Sequence, residues 1–157
     1  MIIFRKLNSD DNKFFNKLIH SEGINYEEFL KIGWSTNQIE NQFNKYSNFS
    51  FGAFYENSLI CFIIGDLLNI EKKSEYEILL FYVCKNFRNK GLAKKLLINI
   101  EKNINFLNKI YLEVSKNNLD AIKFYKKMNF KTINTRKNYF LFENEKIDAL
   151  IMSKNYS

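Results

Sequence analysis

The sequence predicts a mixed α/β (α+β) fold: a mostly antiparallel central sheet of about six to seven strands with about four helices on its two faces. Three observations point to it. Apolar β-forming runs follow one another without an intervening helix between Ser50 and Val83. Past Phe87 the apolar period changes to that of a helix, and from there strands and helices alternate. The chain has 157 residues, 46% of them hydrophobic, which suits one domain over residues 1–157 with a core of its own.

Each element has its own signal. Ile2–Leu7 reads as the first strand. Phe14, Phe15, Leu18 and Ile19 recur at helical spacing across Asp11–Ile19, with Asp10 or Asp11 as the cap. Ser35-Thr36-Asn37-Gln38 matches a capping box and opens a second helix through Phe43. Ser50–Tyr55 and Leu59–Gly65 form a hairpin across Glu56-Asn57-Ser58, and Glu77–Val83 adds a third strand. Leu92, Leu96, Leu97, Ile100 and Ile104 share one face of a third helix, and Ile110–Val114 is a short strand. Asn118 caps a fourth helix carrying Ala121, Ile122, Tyr125 and Met128. Lys131–Thr135, Tyr139–Glu143 and Ile147–Met152 close the chain as strands. The order is β-α-α-β-β-β-α-β-α-β-β, with room for one more short strand.

Composition removes whole classes of function. The apolar content and 17% aromatics exclude disorder as the main state. Two cysteines, Cys61 and Cys84, make neither a disulfide framework nor a C-x-x-C pair. A single histidine, His20, excludes zinc sites built from several His and Cys, and it reads as a surface residue of the first helix. No apolar run is long enough to span a membrane. The apolar start of the chain precedes its charges, unlike a signal peptide, so the expected compartment is the cytoplasm. Proline is absent.

Charge is unevenly placed. Cys84–Lys137 holds 14 Lys/Arg against 3 Asp/Glu, while the rest of the chain is net acidic and the total is +7. Such a segment suits a phosphate-bearing cofactor, nucleic acid or a membrane surface; solvated lysine-rich helix faces explain it equally well. Within it, the strand ending at Val83 runs into Cys84-Lys85-Asn86-Phe87-Arg88-Asn89-Lys90, and Gly91 stands at the mouth of the third helix. A helix start offers unpaired N–H groups and a partial positive charge, and glycine lets an anion approach the backbone. Arg88, Lys90, Lys94 and Lys95 add fixed charge, so the segment has the makings of a pyrophosphate cradle. It is neither a Walker loop nor a G-x-G-x-x-G turn.

Arg88-x-x-Gly91-x-Ala93 after a strand resembles the acetyl-CoA signature [QR]-x-x-G-x-[GA] of the GNAT superfamily of N-acetyltransferases. Leu112-Glu113-Val114, then Asn118-x-x-Ala121-Ile122-x-x-Tyr125, then Met128-Asn129-Phe130, resembles the same family's L-E-V…N-x-x-A-x-x-x-Y-x-x-x-G-F block. Trp34-Ser35, Arg136-Lys137-Asn138-Tyr139-Phe140 and Asp148-Ala149-Leu150-Ile151-Met152 resemble elements of one bacterial branch, which acetylates the N-terminal alanine of a small-subunit ribosomal protein. Together these blocks cover nearly the whole chain.

The resemblance implies roles. Phe81, Tyr82 and Val83 would lend strand backbone to the pantetheine arm of acetyl-CoA. Arg88, Asn89, Lys90, Gly91, Leu92, Ala93 and Lys94 would wrap its pyrophosphate, and Asn118 would lie near the thiol. Glu113 aligns with the family's general base and Tyr125 with its general acid. Trp34 and Tyr139 fall on the acceptor side. The implied partners are acetyl-CoA and a protein or peptide N-terminus, a ribosomal protein in that branch. The implied enzyme is a monomer needing no metal, membrane or direct nucleic-acid contact.

The chemistry agrees with those roles. An amine must be deprotonated to attack a thioester, and an α-amino group has a pKa of about 7.7–8.0 against about 10.4 for lysine. A carboxylate acting through water suffices for the former. The leaving thiol has a pKa of about 8.5, within reach of a tyrosine hydroxyl as proton donor. Each residue also has a plain structural reading: Glu113 an outward strand residue, Tyr125 and Tyr139 packing aromatics, Asn118 a helix cap, Trp34 a packing anchor. Cys84, at the strand end, is not given a covalent role.

The departures are few. Gly33 and Lys85 stand where the branch often has proline, Ala93 replaces the second glycine of the signature, and Asn129 replaces the glycine of G-F. None removes a chemical group. The rival functions are acetylation of another amine (lysine, polyamine or small molecule) and a non-catalytic module binding ribosomal RNA.

Overall fold

A computed structural model describes residues 1–21 and 33–157, with side chains for 1–19 and 33–157; the expectation for His20 lies outside the described side chains. The elements occur in the predicted order. They are β1 (Ile3–Leu7), α1 (Asn12–Ser21), α2 (Thr36–Phe43), β2 (Ser50–Tyr55), β3 (Ser58–Ile70) and β4 (Lys73–Val83). α3 (Leu92–Asn103), β5 (Leu107–Ser115), α4 (Leu119–Lys127), β6 (Lys131–Phe142) and β7 (Glu145–Asn155) complete the chain. The strands form one seven-stranded sheet in the order β1-β2-β3-β4-β5-β7-β6. The β4–β5 pair is parallel, with α3 as its crossover. The β1–β2, β2–β3, β5–β7 and β6–β7 pairs are antiparallel. This is the mixed, mostly antiparallel architecture that the sequence predicts.

Several strands run longer than expected, β3 as far as Ile70 and β5 from Leu107, and three differences have a local reason. β4 starts at Lys73, four residues before the predicted Glu77, because Ser74 and Tyr76 alternate inward beneath a polar outer row. The two closing segments Lys131–Thr135 and Tyr139–Glu143 are one strand, β6, interrupted by a bulge instead of a loop. Finally, Asn8 and not Asp10 or Asp11 caps the first helical turn. Asp11 is its capping-box partner: its carboxylate accepts from the Asn8 N–H at 2.9 Å and from Arg5 at 2.8 and 3.0 Å. The second capping box forms as expected, with the Ser35 N–H donating to Gln38 at 2.7 Å and the Gln38 N–H to Ser35 Oγ at 3.2 Å.

Asp11 supplies a stability prediction. Burial opposes its ionisation, but the Arg5 guanidinium and the Asn8 N–H outweigh burial and hold the carboxyl below the usual range. A depressed folded value means that the stabilisation is complete above the unfolded pKa of about 3.9 and is lost as pH falls through the folded value. Asp11→Ala is expected to cost about 1 kcal/mol near neutrality and much less in acid, once the folded carboxyl is protonated. Urea denaturation at neutral and at acid pH checks it.

The chain divides into two compact units, Met1–Leu67 with Leu80–Ile104, and Leu68–Leu79 with Asn105–Ser157. In the first, α1 and α2 bury Phe15, Ile39 and Phe43 in one apolar cluster with Phe62 and Ile64 of β3. The Phe15 ring lies 4.8 Å from Phe62 and 5.5 Å from Phe43. Gly52 is required there, since a Cβ would meet Leu59 at 2.7 Å and Leu7 at 2.9 Å. In the second unit, Ile110, Leu112 and Val114 of β5 point inward, and Ile122, Tyr125, Phe130 and Met152 are buried with them. That alternation turns Lys109, Tyr111 and Glu113 to the other face of β5.

Candidate active site

The first unit holds the predicted anion cradle. β4 ends with Tyr82 buried and Phe81 and Val83 half-buried, then a short 3-10 turn, Lys85–Phe87, leads to the loop. Arg88 folds back: its Nε donates to the Val83 carbonyl at 2.9 Å, and its guanidinium lies 5.6 Å from the Tyr82 ring. One Val83 backbone group expected for a pantetheine arm is thus engaged by Arg88. Asn89 and Gly91 are both left-handed, at φ 59° and 76°, with Lys90 between them and its ammonium 5.6 Å from the Phe87 ring. Gly91 is the N-cap of α3 and places no side chain on the first-turn N–H groups. A Cβ at Gly91 would meet nothing within 4 Å, so glycine is called for by the backbone angle, not by crowding. Leu92 is buried and has only backbone to offer a ligand, Ala93 is half-buried, and Lys94 and Lys95 are exposed. An uncapped helix start with exposed cations around it fits a diphosphate.

The second unit holds the carboxylate. Glu113 lies opposite Ile151 of β7 and pairs with Arg136, Nη1 to Oε1 at 3.2 Å. Tyr139 donates its hydroxyl to Glu113; that bond and the carboxylate's charge, helped by burial and by Glu77, raise its pKa against the opposing pull of Arg136. The Arg136 guanidinium lies 5.3 Å from the Tyr139 ring. Beside them, Tyr111 donates to its register partner Glu77 at 3.4 Å. The structure therefore brings Glu113 together with Tyr139 and with Arg136 of the Arg136–Phe140 motif.

Tyr125 is placed differently. It is 6% exposed and stacks edge-on against Phe124 and Phe130, each with ring centres 5.4 Å away. Burial pushes its pKa up, so the hydroxyl stays protonated across the neutral range. A protonated hydroxyl is what a proton donor needs, and the ring packing holds it in place. Asn118 caps α4, its side chain accepting from the Ala121 N–H at 3.2 Å. Trp34 packs half-buried against the apolar cluster of the first unit, the position of an anchor.

Other chemistry has less support. Burial, with a contribution from neighbouring Cys84, pushes the Cys61 thiol up to about 12. Cys84 is itself buried, with Sγ 3.6 Å from the Leu59 carbonyl. Such thiols are poor nucleophiles. Among the described residues no three His, Cys, Asp or Glu cluster as metal ligands would. No described helix is long and apolar enough to cross a membrane.

Comparison with known proteins agrees with this layout. The model of the Acetyltransferase (GNAT) family matches residues 15–130. NAA60 of Arabidopsis thaliana, solved with a bisubstrate analogue, superposes with a TM-score of 0.80 at 20% identity, over 99% of this chain and 98% of that one. The same protein is also solved with acetyl-CoA. The ribosomal-protein-S18-alanine N-acetyltransferase of Escherichia coli matches at 0.78 and 20% identity, over 100% and 95% of the two chains. Arabidopsis Naa50, bound to the bisubstrate analogue CoA-Ac-MVNAL, matches at 0.74 and 21% identity over 99% of each.

Proposed function

The chain belongs to the GNAT acetyltransferase family, and from that premise we propose that it transfers acetyl from acetyl-CoA to the N-terminal α-amino group of a protein. The observation that carries this reading is the outward-facing Glu113 of β5, partly open to solvent and framed by Arg136 and Tyr139. A carboxylate suits an acceptor that loses its proton near pH 8 better than one that holds it to about pH 10. Bisubstrate and acetyl-CoA complexes of proteins with this fold support the same substrate pair.

The roles are those that the family resemblance implies at these positions. The first-turn N–H groups of α3, with Lys90 and Lys94, hold the diphosphate, and Arg88 shapes the loop from behind. Phe81–Val83 align the pantetheine arm, and Asn118 stands near its thiol end. Glu113 takes a proton from the acceptor ammonium, directly or through water. The freed nitrogen forms a bond to the thioester carbonyl carbon, the C–S bond breaks, the thiolate takes a proton from the Tyr125 hydroxyl, and the nitrogen's second proton restores that hydroxyl through water. Both substrates are held together, so most of the acceleration comes from positioning. Tyr139 and Trp34 fall on the acceptor side.

The finer reading is an alanine-first acceptor from a small-subunit ribosomal protein, acetylated by a monomer in the cytoplasm. Incubation with acetyl-CoA and peptides beginning Ala, Met or Ser, each with an internal lysine, tests it by mass spectrometry. A single acetyl on the α-nitrogen, fastest for Ala, is expected. Acetylation confined to lysine, or none, overturns the acceptor class.

A further inference from the structure

Arg136 and Tyr139 are three residues apart on β6, a spacing that sends side chains to opposite faces of a regular strand. Both nevertheless meet Glu113. The reason is a bulge. Between the Arg136–Ala149 and Phe140–Ile147 pairs, β6 holds three residues and β7 holds only Asp148. Asn138, in the middle, is left-handed at φ 54°, and its N–H donates to Asp148 Oδ1 at 2.9 Å. A side-chain carboxylate thus replaces the ladder partner that the bulge removes.

The Arg136 side chain is 53% exposed and that of Glu113 21%, so water can replace either partner at little cost. An acceptor ammonium carries the same charge as the guanidinium and needs the same carboxylate. Building on the reading of Glu113 as the base, we propose that Arg136 is a place-holder for the acceptor amine. It pairs with Glu113 when no acceptor is bound and is displaced by the acceptor's ammonium. The Asn138–Asp148 bulge holds it in position. The exchange favours cationic acceptors, because a neutral alcohol brings no charge to replace the one it displaces. Arg136 and Asp148 are positioning residues in this scheme.

Calorimetry tests it with an alanine-first peptide titrated into protein saturated with CoA, where no transfer occurs. Arg136→Gln is expected to tighten the peptide roughly two- to five-fold, and Glu113→Gln to weaken it. In the Glu113→Gln background, Arg136→Gln no longer tightens binding. Asp148→Ala behaves like Arg136→Gln, whereas Asp148→Asn, which keeps an acceptor oxygen, behaves like the unaltered protein. If Asp148→Ala fails to fold, the exposed Arg136→Gln and the Asn variant still decide. Unchanged or weaker peptide binding in Arg136→Gln, or tightening that persists without the Glu113 carboxylate, overturns the proposal. Because binding is read and not turnover, an active Glu113→Gln enzyme removes the base assignment without touching the exchange.

Discussion

Glu113→Gln lowers kcat by about 10²- to 10⁴-fold at neutral pH, the range a positioned general base supplies. The amide keeps the shape of the carboxylate and its place on β5, opposite Ile151. It cannot accept the acceptor's proton. Acetyl-CoA affinity stays unchanged, because the cradle belongs to a different stretch of chain. The deficit also shrinks as pH rises past about 8, where the α-amino group is already neutral in solution. Initial rates across this pH range, with acetyl-CoA affinity measured in parallel, check it. Wild-type turnover in the variant removes Glu113 from the base role.

Gly91→Asp raises the KM for acetyl-CoA at least about ten-fold, with a loss of thermal stability from the left-handed backbone that Gly91→Asn shares. Asp and Asn are the L-residues least strained in the left-handed backbone that Gly91 adopts, and a negative charge at the start of α3 offsets part of that strain through the helix dipole. The same charge repels a diphosphate from those N–H groups. Two like charges about 4 Å apart at an effective dielectric near 20 repel by about 4 kcal/mol, an upper bound before solvent screening. Gly91→Asn is the control: it has the same shape and no charge, and it is expected to affect KM only slightly. Equal KM values for the two variants contradict an anion at this helix start.

Much of the fold was legible because apolar period and capping chemistry survive in a chain without proline. Ser35–Gln38 and Asn118 cap as read, and the predicted strand–helix order holds throughout. What the sequence obscured is tied to asparagine. Among the described residues with positive φ, Asn57, Asn89, Asn129, Asn138 and Asn144 take left-handed positions that glycine usually fills. A search for glycine therefore misses the bulge at Asn138. That bulge makes β6 look like two segments in the sequence and brings Arg136 to Glu113. The odd spacing of Arg136 and Tyr139 is the signal that exposes it. The start of β4 was hidden differently, since Lys73 and Glu75 face outward and interrupt the apolar run. In the candidate site the cradle and Glu113 were readable from local pattern, whereas the Arg136–Glu113–Tyr139 contacts arise from β5 and β6 meeting β7 and have no sequential signature.

The most direct measurement compares two acyl donors by isothermal titration calorimetry. S-acetyl-pantetheine has the thioester and the arm of acetyl-CoA but no diphosphate. With the α3 helix start as the grip, acetyl-CoA binds and S-acetyl-pantetheine binds at least about a hundred-fold more weakly. Equal binding of the two, or no heat from acetyl-CoA, contradicts the account at its base.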